Sequence, residues 1–265
     1  MSALANPIVV VGLGELGSVF ARGFLKSGYP VIPVTRQMSM ASVAQEVAAP
    51  TAVLIAVGEN DLHPVLEQLP EVWKDRTILI QNELLPRDWQ QHQIETPTVI
   101  SVWFEKKKGM DSKVVLPSPI WGPRARLVFD ALATLDLPSY LVDSLEEMTY
   151  ELVRKNLYIL TTNIAGLELP EGCTVQQLRD EHAELMEAVA EDVLKIQSAL
   201  TGIQWEKESL IDGMLEAFDG DPEHKCMGRS APARLARALK IAQAHHLSVP
   251  TLETIARDVS MAKNA

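Results

Sequence analysis

Cysteine is scarce in this chain. There are two in 265 residues, Cys173 and Cys226, and neither belongs to a Cys-x-x-Cys or Cys/His pair with ligand spacing. That argues against a disulfide-stapled scaffold and implies no zinc site, so no metal is expected and both thiols are read as free in a reducing compartment. Positive charge is in deficit too: 24 Lys and Arg stand against 35 Asp and Glu, for a net charge of −11. A phosphate backbone would be repelled, so no nucleic-acid partner is expected. No apolar run approaches the ~20 residues that span a bilayer, so no membrane partner is expected either. Met1 to Asn6 show neither the basic region nor the apolar stretch of a signal peptide, and a cytoplasmic location is expected. Aromatics are few, and Trp103, Trp121 and Trp205 read as packing, not as a base-stacking platform. Asp180, Glu181, His182 and Glu184 read as a solvated helix face without metal-ligand geometry.

What the chain does have begins at Pro7. Ile8 to Val11 is a β-branched run of the kind that forms a buried strand. Gly12, Gly14 and Gly17 follow in Gly-x-Gly-x-x-Gly spacing. The first glycine permits a tight turn, the second lets backbone approach a pyrophosphate, and the third lets a helix pack closely on the strand. A helix is predicted from Glu15, with Leu16, Val19, Phe20, Gly23 and Phe24 on its apolar face and Gly28 at its end. Its first N–H groups and its dipole favour an anion. A second strand, Val31 to Val34, completes the context that a dinucleotide-binding motif requires. Gly12, Leu13, Gly14, Glu15, Leu16 and Gly17 are therefore the expected cofactor-binding residues.

In NAD-binding folds an acidic residue about 20 residues past the motif bonds the ribose 2′-hydroxyl. Here that position reads Val34-Thr35-Arg36, without a carboxylate. A guanidinium suits a 2′-phosphate, so Arg36 points to NADP(H). Further strands are predicted over 51–57, 77–80, 98–104, 113–116 and 139–142, with helices over 38–47, 61–69 and 123–135. Ligands bind outside the carboxyl ends of parallel strands. Gly12, Arg36, Gly58 and Asn82 all fall at such ends. After residue 144 no strand pattern remains, and helices are predicted over 145–165, 174–200, 206–218, 229–246 and 251–261. The expected architecture is a Rossmann-type, mostly parallel α/β domain at 1–143 and an all-α domain at 144–265.

The first helix of the second domain carries the other informative stretch. Lys155, Ile159 and Asn163 lie at i, i+4 and i+8 and share one face. Spacing alone leaves Lys155 open to two readings, a solvated lysine or a functional one. In the helix predicted over 229–246, Arg234, Arg237 and, less well, Lys240 can also share a face. They read either as a solvated basic face or, at Arg234, as a clamp for a substrate carboxylate.

At these residues the chain resembles the ketopantoate reductases. The resemblance rests on Gly-Leu-Gly-Glu-Leu-Gly, Arg36, Gln81-Asn82, Ile120-Trp121-Gly122-Pro123, the Arg154-Lys155…Asn163 helix and Ala-His-His-Leu-Ser-Val-Pro near the end. It implies that Lys155 is the general acid, that Asn82 lies near nicotinamide and substrate, and that Arg36 binds the 2′-phosphate. Asn163 would orient the lysine or the substrate. The chain departs from that family in having Ile159 where a second asparagine is usual. It also has Gly58-Glu59-Asn60 where a lysine is common, and Gly228-Arg229-Ser230-Ala231-Pro232 where a substrate-binding glutamate is expected. Asn82, Ile159 and Arg234 are the candidate substrate residues. The expected function is NADPH-dependent reduction of a small, anionic keto acid, with a homodimer as the assembly allowed for. The alternatives are a dinucleotide-binding sensor or interaction protein without catalysis, and imine or β-hydroxyacid dehydrogenase chemistry.

Overall fold

The structure is a computed structural model that describes residues 5–264, with side chains to residue 261. Of the N-terminal stretch weighed as a signal peptide, residues 1–4 lie outside the described residues. The chain divides into two compact units, Met1–Leu152 and Val153–Ala265. The division falls inside the helix Leu145–Ala165, past the 143/144 boundary read from the sequence.

In the first unit the β-branched runs form β1 (Ile8–Val11), β2 (Val31–Val34), β3 (Ala52–Ile55), β4 (Thr77–Leu79) and β5 (Thr98–Ile100). They pair in parallel in the order β2-β1-β3-β4-β5. Val11 lies opposite both Val34 and Ile55, so β1, β2 and β3 end at one level. Helices α1 (Glu15–Lys26), α2 (Met40–Glu46), α3 (Glu59–Glu67) and the short α4 (Pro86–Gln90) connect them, with a 3-10 turn at Glu71–Arg76. Strand alternation sends Ile8, Val10, Leu54, Ile78 and Ile100 to one face. There they pack with Phe20 and Phe24 of α1 and with Val128 and Leu132 of α5 (Ala125–Ala133).

The predicted strand 98–104 is two elements. Only Thr98–Ile100 joins the main sheet; β6 (Phe104–Glu105) turns away and pairs antiparallel with β7 (Lys113–Val114). The lysine-rich run between them is the connecting turn. A strand the sequence does not announce, β8 (Ser118–Trp121), runs antiparallel beside β5, and β9 (Ser139–Leu141) pairs parallel with it. The sheet is thus mostly parallel.

The second unit contains helix only among its named elements: the rest of α6 (Leu145–Ala165), α7 (Val175–Glu181), α8 (Ala183–Thr201), α9 (Lys207–Gly220), α10 (Ala231–Ala244) and α11 (Pro250–Asn264). The single helix expected over 174–200 is broken at His182, whose φ of −133° and ψ of 34° leave the helical region. The break lets Val175 and Leu178 on one side, and Met186, Val189 and Val193 on the other, all reach the core. One buried carboxylate ties α8 to the start of α11. Asp192, 2% exposed, accepts from the N–H groups of Thr251 and Leu252 at 2.9 and 3.3 Å and from Lys195 Nζ at 2.8 Å. It thereby satisfies the orphan donors that begin α11. Asp192→Ala leaves those donors buried without a partner. It should lower stability by about 2–3 kcal/mol, read as a lower urea midpoint at unchanged slope, while Asp192→Asn, which keeps an acceptor, should lose less.

Candidate functional site

Because β1, β2 and β3 end in step, the three segments that leave them diverge around one cavity of about 630 Å³. It is lined by Val11 to Gly14 at the end of β1, by Val34, Thr35 and Arg36 at the end of β2, and by Ala56, Val57 and Gly58 after β3. Met38, Met40, Asp61, Pro64, Val65 and Gln68 complete the wall. β1 lies between β2 and β3, so the cavity opens where the strand order reverses, the usual ligand crevice of such sheets. Gly12 donates its N–H to Val34 O at 3.0 Å, and Ala56 to Val11 O at 2.8 Å, which locks the three exits together.

The three glycines differ in what surrounds them. Gly12 has φ +92°, and a Cβ there would meet Ala56 O at 2.7 Å. At Gly17 a Cβ would lie 2.0 Å from Gly12 O, so α1 packs on the turn with room for hydrogen alone. At Gly14, the N-cap of α1, a Cβ would meet nothing within 4 Å. Gly58, the N-cap of α3, is equally open. Two helix N-termini thus present open N-caps on one cavity, an arrangement suited to a pyrophosphate.

Of the sequence-predicted cofactor residues, the structure gathers Gly12, Leu13, Gly14, Arg36 and Gly58 in this wall. Glu15, Leu16, Gly17 and Asn82 are not among the lining residues. Glu15 faces Lys106 of the β6–β7 hairpin, Oε2 to Nζ 3.7 Å, which offsets its charge beside the motif. Asn82 Nδ2 donates to Glu59 Oε1 at 3.3 Å. Its neighbour Gln81 ties strand ends together, donating to Ile55 O at 2.6 Å and accepting from Ile80 N–H at 3.1 Å.

Sequence reasoning missed one charged member of the wall. Asp61 Oδ2 lies 3.1 Å from Arg36 Nη2, with the two side chains 52% and 93% exposed. Asp61 belongs to the first turn of α3, three residues after Gly58. No local pattern at Arg36 announces it.

In the second unit the α6 face predicted from spacing is present. Lys155, Ile159 and Asn163 are 8%, 8% and 7% exposed. Arg234 of α10 is 9% exposed and donates from Nη1 to Asn163 Oδ1 at 3.0 Å. Two residues singled out independently are therefore one hydrogen-bonded pair. The bond fixes the amide orientation, because only Oδ1 can accept from a guanidinium. Gly228 borders the same pair, where a Cβ would come within 3.1 Å of Asn163 Oδ1. The uniformly solvated basic face is not what α10 shows. Arg229 and Lys240 are exposed and Arg237 half-buried, while Arg234 shares the buried side with Ala231, Leu235 and Ala238. Cys173 and Cys226 are free and buried. Burial first, and then the neighbouring Cys173 thiol, push the Cys226 thiol up to about 12, so it offers no thiolate near neutral pH. Among the described residues no three His, Cys, Asp or Glu side chains could hold a metal ion.

No family model matches the chain, and no curated protein matches it. Solved structures do. A 2-dehydropantoate 2-reductase from Methylococcus capsulatus superposes with a TM-score of 0.67 at 13% identity, covering 97% of this chain and 96% of its own. A dimeric ketopantoate reductase from Staphylococcus aureus gives 0.61 at 15% identity, covering 97% and 100%. The fold is that of the ketopantoate reductases. A D-mandelate dehydrogenase solved with NADH shares it, at a TM-score of 0.64 and 13% identity over 97% of this chain and 98% of its own. The ketopantoate reductase fold therefore leaves substrate and cofactor to be argued from the sites.

The glycine geometry separates packing from binding. Gly14→Val points its side chain into the cavity from an N-cap at φ −73° and should lose no more than about 1 kcal/mol, the preference of an N-cap for glycine over valine. Gly17→Ala must push α1 off the turn and should lose about 1–3 kcal/mol. Thermal unfolding of both variants reads the difference.

Proposed function

We propose that this chain is an NADP(H)-dependent reductase of a small, anionic keto acid, with Lys155 as its general acid. The observation that carries the reading is the cavity at the ends of β1, β2 and β3. Its backbone is open at Gly14 and Gly58, and Arg36 stands at its wall. A dinucleotide fits that donor set. The pyrophosphate would lie on the N-termini of α1 and α3, and Arg36 would hold the 2′-phosphate. Leu13, Glu15, Leu16, Gly17 and Asn82 remain part of the proposed binding set through backbone position and through the contacts named above.

The second unit supports the chemical half of the proposal. A nicotinamide cofactor, when bound, supplies the hydride to the substrate carbonyl carbon. Lys155 donates the proton that the carbonyl oxygen then takes up, from a face shielded from bulk water. Asn163, its amide fixed by Arg234, orients the oxygen or the lysine. Arg234 presents a planar cation that suits a carboxylate. Ile159 replaces a polar neighbour with an apolar one, which favours a substrate other than ketopantoate. A homodimer is the proposed assembly, in keeping with the Staphylococcus aureus reductase described as dimeric. A reducing compartment such as the cytoplasm suits the two free thiols. Among the described residues no helix is long and apolar enough to cross a membrane.

The test is NADPH oxidation over a panel of 2-keto acids, including diacids, amino-acid-derived keto acids and ketopantoate. With a turned-over substrate in hand, Lys155→Ala should lower kcat by about 10²–10⁴-fold while NADPH affinity stays unchanged. Unaltered turnover in that variant would remove Lys155 from the mechanism. Saturable NADPH binding with no turnover of any panel member would favour a binding protein without catalysis.

A further inference from the structure

We propose that Asp61 is a specificity-determining residue of the cofactor cavity, holding Arg36 in the cofactor-free protein and working against the 2′-phosphate that Arg36 attracts. The inference rests on the dinucleotide reading of this cavity and adds a residue to it. Both side chains belong to the cavity wall, with Arg36 Nη2 3.1 Å from Asp61 Oδ2. The two are held differently. Asp61 belongs to the first turn of α3, with its N–H bonded to Gly58 O at 3.0 Å. Arg36 follows β2 on a long side chain that is 93% exposed. An exposed ion pair of this kind is weak, so Arg36 can leave Asp61 for a better anion while Asp61 stays where α3 puts it.

The charges then sort the two cofactors. A 2′-phosphate brings about −1.5 to −2 charges to the guanidinium, within a few ångströms of the Asp61 carboxylate. Arg36 attracts it and Asp61 repels it. A ribose with a free 2′-hydroxyl brings a donor instead, and a carboxylate accepts from it well. Arg36 thus serves the phosphate and Asp61 the diol. The preference for NADPH that Arg36 would give alone is reduced by its neighbour. The acidic partner that NAD-binding folds carry at the end of the second strand is present, supplied from another element.

Asp61→Asn removes the charge and keeps the size. In calorimetric titrations at low salt it should tighten NADPH on the order of tenfold, the scale of one screened charge contact near a protein surface. NADH should bind equally or more weakly, and 2′,5′-ADP and 5′-AMP should reproduce the split. Raising the salt should shrink the gain, because the effect is electrostatic. Asp61→Ala guards against a special effect of the amide and should move NADPH in the same direction. NADPH affinity unchanged or lowered in both variants, with wild type binding normally, overturns the role of Asp61 and leaves the cofactor site standing. Wild type binding neither dinucleotide overturns the cofactor reading itself.

Discussion

At Gly17 the helix α1 meets the turn after β1 with room for a hydrogen atom and nothing larger. The first unit depends on that contact. It sets the start of α1 directly over the carboxyl end of β1, and in-step pairing with β2 and β3 brings two further exits to the same level. The cavity is a consequence of these two constraints. Polar N–H groups at the starts of α1 and α3 are left without helical partners, as at any helix start. A site built from backbone in this way needs few special side chains, which is why the local pattern of three glycines carries so much of it.

The second unit solves a different problem. α6 buries lysine and asparagine on one face, and such groups are costly to bury unless they find partners. Arg234 supplies one for Asn163 at 3.0 Å. The same logic appears away from the site, where Asp192 is buried against the start of α11. In both cases a polar group is kept inside the helical core by a donor from a distant part of the chain, and each fixes one helix against another. Arg234 and Asn163 stand 71 residues apart in sequence.

Much of this was legible in the sequence, and the misses have physical reasons. β1, α1 and β2 follow from a β-branched run, three glycines and an apolar helical face, all local features. β8 was not legible because Ser118-Pro119-Ile120-Trp121 contains a proline that cannot donate to a ladder. There the partner is Pro119 O, which accepts from Ser101 N–H at 3.1 Å. The break at His182 was hidden because the polar run around it reads equally well as a continuous solvated face. Asp61 was missed because it sits 25 residues from Arg36, on another element, and only the fold brings the two side chains together. Arg234 could be put on a face by spacing, but its depth depends on which side of α10 meets α6. The misses at Asp61 and Arg234 concern contacts between elements, and pattern within an element does not encode them.

We propose that the cavity above β1, β2 and β3 binds a nicotinamide dinucleotide through the open backbone at Gly14. Calorimetric titration of NADPH into wild-type protein and into folded Gly14→Val tests it most directly. Saturable binding at one site per chain is expected in the wild type and none in the variant, whose side chain fills the pyrophosphate space. Normal binding by Gly14→Val, or no binding of NADPH or NADH by the wild type, would contradict it.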